Sequence, residues 1–190
     1  MDIVFNTLKC CMETIIKNLN LTLELDRSAS SDHDLRIQYF TDAMHGLIRV
    51  HVGLSSCGSV QSTDSQLKEF RSRVVELISL NSRTLHQYIY ISWNLTNQSL
   101  FEGWWESCIR RSEIALLLDE YPGAADVLGQ ENMEMVEEMD EVLRDNGPDV
   151  PPLRHQDIPS GLPDTHWWWR LPSGDPEEHR KFLSNFDEYY

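Results

Sequence analysis

From residue 3 to residue 20 apolar side chains return every three or four positions, at Val4, Leu8, Cys11 with Met12, Ile15 and Leu19. Lys9, Glu13 and Lys17 fall on the opposite side, so the spacing predicts an amphipathic helix. The polar run 27–32 then breaks the pattern, and Asp32 or Asp34 is placed to cap a second helix. The period returns over 35–52, carried by Leu35, Tyr39, Phe40, Ala43, Met44, Leu47, Ile48 and Val50 around a tolerated Gly46. After a Ser- and Gly-rich connection at 54–64, Thr63 to Gln66 matches a capping box. A third helix is predicted from there to residue 92, through Leu67, Phe70, Val74, Leu77, Ile78, Asn81, Leu85 and Tyr88. At 1.5 Å per residue it spans roughly 40 Å. Its late stretch, Tyr88-Ile89-Tyr90-Ile91, is β-prone and is the one place where a strand competes.

Asn94 to Ser99 reads as a polar break. Leu100, Phe101, Trp104, Trp105, Cys108 and Ile109 open a fourth helix that runs to Leu118 and stops at Tyr121-Pro122-Gly123. A fifth is predicted over about 124–144, closed by Asp145-Asn146-Gly147-Pro148. Residues 147–174 then hold six of the eight prolines, which excludes long helices and predicts an extended path with turns. Asp175-Pro176-Glu177-Glu178 is a helix start, with aspartate as cap and proline at the first helical position. Phe182, Leu183 and Phe186 give that last helix an apolar side. The fold expected is all-α. A bundle of about five helices fills 1–147; a Pro/Trp-rich extended strap and a short C-terminal helix, 148–190, pack on it.

The 190 residues are the length of one large domain or a domain plus an extension, and 41% hydrophobic residues suffice for a core. No basic segment precedes an apolar run at the start, and no stretch approaches 18 apolar residues. Cys10, Cys11, Cys57 and Cys108 are scattered without metal-type spacing, which reads as free thiols in a reducing, cytoplasmic setting. The sequons at Asn20, Asn94 and Asn97 are then incidental.

Charge changes this picture most. The net formal charge is −15, yet residues 1–118 carry only −2 of it, and residues 119–149 carry −10 with Arg144 as their one base. In that segment Glu131, Glu134, Glu137, Glu138 and Glu141 oppose a stripe of Met133, Val136, Met139, Val142 and Leu143. A helix there packs through its apolar side and shows water a row of mutually repelling carboxylates. One reading is a solvated face that aids solubility. The other is a docking face for a basic protein. The same charge argues against direct binding to nucleic acid or to anionic membrane.

His166-Trp167-Trp168-Trp169-Arg170 is the second unusual feature. In an extended chain Trp167 and Trp169 face one side and Trp168 the other. The run is read either as a clamp that holds the strap to the bundle or as a partner-binding hot spot, with Arg170 available to stack on an indole.

Chemistry is sparse. Asp42 and His45 share a helical face, His51 lies further along, His86 sits on the third helix, and Glu102 and Glu106 are four apart, so a metal or acid/base site between helices is the alternative, with Asp42, His45 and Glu106 its candidates. No zinc-type cysteine spacing, no His-Glu-x-x-His, no nucleophile elbow and no phosphate-binding glycine loop occurs. Neither a cofactor nor a metal is expected. Lys68, Arg71, Arg73, Arg110 and Arg111 read as internal partners for acids. The function expected is a non-enzymatic acidic interaction module, an inhibitor or immunity-type neutraliser of a basic protein such as a nuclease. A structural subunit of a larger assembly is the remaining alternative.

Overall fold

The computed structural model describes residues 2–28, 32–57, 64–98 and 103–187. Among the described residues seven α-helices follow one another: α1 Asp2–Arg27, α2 His33–Cys57, α3 Asp64–Leu80, α4 Ser82–Asn97, α5 Trp104–Glu120, α6 Ala124–Asn146 and α7 Pro176–Asp187. Three single 3₁₀ turns, Gly147–Asp149, His155–Asp157 and Trp167–Trp169, punctuate the strap between α6 and α7. No strand occurs among the described residues, and Tyr88 to Ile91 are helical. Among these residues no helix is long and apolar enough to cross a membrane.

Asp32 is the residue that caps α2, its side chain accepting the Leu35 N–H at 3.1 Å. The Asp175 carboxylate accepts the Glu177 N–H at 2.8 Å and opens α7 with Pro176 in its first turn. Thr63 of the predicted capping box, and Leu100, Phe101 and Glu102, lie outside the described residues, as do the side chains of Phe182, Leu183 and Phe186.

The single long third helix expected from the apolar spacing is two helices. Asn81 breaks it with φ −100° and ψ 26°. Its side chain, 1% exposed, donates to Leu77 O at 2.8 Å and across to Leu19 O of α1 at 3.1 Å. A buried amide must find partners, and bonding to neighbouring carbonyls competes with the helical backbone. The apolar spacing keeps its register through the break because Asn81 itself points inward. The predicted break at Asn94 also moves, since α4 continues to Asn97. Within it the buried Ser92 and Thr96 hydroxyls find acceptors in their own helix, donating to Tyr88 O and Ser92 O at 2.7 and 2.9 Å.

α1 and α2 approach closely at Gly46, where a β-carbon would lie 2.5 Å from the Ile15 side chain. Gly129 kinks α6 near its start, with φ +69° and ψ 173°, a conformation open to glycine. The acidic stretch of α6 lies wholly after that kink.

Two cores share α5. Ile114 and Leu117 face the main core, with Ile15, Phe40, Val74, Leu77, Tyr88 and Met139. Cys108, Ile109, Ala115 and Leu116 face a second core closed by Ile48, Leu143, Val150, Trp168 and Trp169. α5 is therefore buried on most sides, and its polar residues Ser107, Arg111, Ser112 and Glu113 are buried with it.

Candidate functional site

The acidic side of α6 stands as its spacing predicts. Leu128, Asn132, Val136, Met139 and Leu143 turn inward, while Glu131, Glu134, Glu137, Glu138 and Glu141 are all exposed. Glu131, Glu134, Glu138 and Glu141 follow at alternating steps of three and four, forming one stripe roughly 15 Å long with Glu137 beside it. No ion pair within the described residues neutralises any of the five. Glu134 accepts from Gln130 at 2.8 Å, and Glu138 accepts the Trp93 indole N–H at 2.8 Å. Arg144, the one base in this segment, lies over the Trp167 ring at 4.8 Å instead of pairing with the stripe. Asp140 is drawn out of the acidic row by Arg111, which holds it through two bonds of 2.7 and 2.9 Å.

α4 runs parallel to α6, since His86 meets Asn132 and Trp93 meets Glu138 in the same order. This places an aromatic pair along the carboxylates. Tyr90, 49% exposed, sits 5.7 Å from Trp93. No signal in the sequence linked Tyr90 and Trp93 to α6, because the pairing of α4 with α6 is tertiary.

The tryptophan run differs from the extended form expected of it. Trp167 to Trp169 make a 3₁₀ turn, so Trp168 and Trp169 enter the same core, each 2% exposed. Both indoles donate to the Ser112 hydroxyl, at 3.0 and 2.9 Å. Trp104 donates to Trp168 O at 3.0 Å, and Arg111 lies 4.7 Å over the Trp168 ring. Only Trp167 of the three is partly exposed, under Arg144. Arg170 stacks on no indole of the run; it pairs with Asp164 at 2.8 Å. Burying two indoles contributes on the order of 4 kcal/mol each, which holds a proline-rich segment that makes few backbone bonds of its own.

The polar residues proposed for chemistry make no direct bond to one another among the described residues. Asp42 is exposed on α2. His45 turns instead to Glu113, Nδ1 to carboxylate oxygen at 2.9 Å. Glu113 is 1% exposed and also accepts the Tyr88 hydroxyl, with Arg110 at 4.0 Å. Arg110 reaches Glu106 at 3.0 Å and Thr41 at 3.2 Å. Burial and then the Glu113 charge push the Tyr88 phenol well above its ordinary range. A second set joins His51 and Arg71 to Glu120, with His51 Nε2 donating to Gly161 O of the strap at 2.9 Å. Among the described residues no three His, Cys, Asp or Glu side chains gather as a metal site would need. Of the basic residues expected to serve acids, the four arginines do so: Arg71 with Glu120, Arg73 with Glu76, Arg110 with Glu106 and Arg111 with Asp140. Cys10, Cys11 and Cys108 are free thiols, and burial raises that of Cys108.

A groove of about 630 Å³ lies between α1, α2 and α3, floored by Leu8, Met12, Ile16, Leu54, Leu67 and Phe70. Its rim carries both signs, Lys9, Lys17 and Arg73 beside Glu13 and Glu69, and so selects no ligand charge.

No family model, curated protein or solved structure matches this chain.

Proposed function

We propose that this protein is a non-enzymatic binding module that docks a basic protein on the exposed side of α6. It would act as an inhibitor or neutraliser of a cationic surface, such as the substrate groove of a nuclease. The observation that carries the reading is the row Glu131, Glu134, Glu137, Glu138 and Glu141, exposed and without an ion-pair partner among the described residues. Like charges three and four residues apart cost helix stability, and a cationic partner turns that cost into attraction. The neighbouring Tyr90 and Trp93 offer ring faces on which arginine or lysine can stack.

Capture from a cell extract tests this, using the wild-type protein beside a variant in which Glu134, Glu137, Glu138 and Glu141 are all glutamine. The reading expects a basic protein recovered with the wild type and lost with the variant, at equal helicity of the two baits. Recovery of the same proteins by both contradicts it.

A further inference from the structure

His166 is 1% exposed, and neither of its ring nitrogens has a hydrogen-bond partner. It stacks on Trp168 with ring centroids 4.7 Å apart and the planes 26° from parallel. At neutral pH this imidazole does nothing that phenylalanine or leucine would not do better, because two unsatisfied polar atoms in a core cost stability. What it adds is a proton site in a place that rejects the proton. Arg111 of α5 lies 4.7 Å over the same Trp168 ring. His51 of α2 bonds the strap at Gly161, and Arg170 is close by in the strap. The anions near these groups are already engaged: Asp140 by Arg111, Glu120 by His51 and Arg71, Asp164 by Arg170. None of them is bonded to the imidazole.

We propose that the strap, residues 147–174, is an acid-loosened cover: protonation of His166 shifts it toward an open form in which Trp168 and Trp169 leave their core and the apolar side of α5 is bared. The charged imidazole has no carboxylate to meet in its pocket and must reach water, and it can reach water only if the turn carrying the indoles lifts. Trp104, Cys108 and Ser112, which the strap covers through the Trp168 carbonyl and the two indole N–H groups, become exposed. Burial, followed by Arg111, His51 and Arg170, lowers the His166 pKa from 6.5 to about 4, so the strap stays closed at neutral pH and opening draws on protons at acid pH.

Amide hydrogen exchange of the full chain, followed by mass spectrometry from pH 7.5 to 4.5 and corrected for intrinsic exchange, tests this. The strap-opening equilibrium is expected to rise by up to about tenfold per pH unit below about pH 6.5, as one-proton linkage requires, while α1, α3 and α4 keep their protection. His166→Phe and His166→Asn, two non-titrating replacements of different polarity, are each expected to abolish this pH dependence, so that a packing failure of one leaves the other to decide. His51→Gln is expected to retain it. A strap whose protection is independent of pH, a dependence that survives both His166 variants, or one that disappears in His51→Gln overturns the proposal.

Discussion

Trp93 donates its indole N–H to a carboxylate oxygen of Glu138 at 2.8 Å, tying the exposed aromatic edge of α4 to the acidic row of α6. The bond holds Glu138 in place beside the rings of Trp93 and Tyr90. Replacing Trp93 by Phe keeps the ring and frees the carboxylate. The partner affinity is expected to fall severalfold, with protein stability lowered by about 1–2 kcal/mol, because the bond is exposed but the indole also packs on the main core. Titration calorimetry against the captured partner and urea denaturation read the two effects.

The acidic face should cost the free protein stability. Glu134 and Glu138, and Glu137 and Glu141, are like-charged pairs one turn apart. Changing all four to glutamine is expected to raise the unfolding free energy by about 1 kcal/mol at low salt, from a few tenths per pair. The gain should shrink in 1 M salt. Thermal melts at the two ionic strengths check both the sign and the screening.

Ser112 is the one acceptor for two buried indoles. Ser112→Ala strands both N–H groups in the second core and is expected to destabilise the fold by about 3 kcal/mol, since each buried unsatisfied donor costs about 1–3 kcal/mol. Denaturant titration measures it. The strap should loosen before the main core does, which is visible as a red shift of tryptophan emission ahead of the loss of helicity.

His166 also fixes how stability changes with acid. Its folded pKa of about 4 lies below the 6.5 of an unhindered imidazole. Between these values the unfolded chain binds more protons than the folded one, so stability falls as the pH drops from about 6.5 toward 4 and is flat in this respect above. The full loss is of order 3 kcal/mol. Comparing denaturation midpoints of wild type and His166→Phe at pH 7.5 and pH 5 isolates this contribution from the carboxylates, which titrate in both.

Much of this fold was legible in the pattern of apolar positions, because most helices bury one side and show water the other. The misses have local causes. Asn81 breaks a helix without disturbing the apolar register, since its amide points inward to Leu19 O and Leu77 O. The tryptophan run reads as extended under a two-residue period, but a 3₁₀ turn puts Trp168 and Trp169 into one core. Glu113 and Ser112 drew no attention in the sequence. They lie in α5, whose burial on most sides is set by two cores, the second of which is closed only when the strap returns. The exposed row of glutamates was legible because charge of one sign on one helical side needs no tertiary information. Its company with Tyr90 and Trp93 does need it.

The dependence of partner affinity on salt tests the docking account most directly. Binding of the captured partner to the wild-type protein should weaken steeply as salt rises from 50 to 500 mM, an order-of-magnitude range chosen because it shortens the screening length well below the length of the stripe. The variant with Glu134, Glu137, Glu138 and Glu141 changed to glutamine should bind more weakly at low salt and show a markedly flatter slope. Equal affinity and equal slope for the two proteins would contradict the claim that α6 is the docking face.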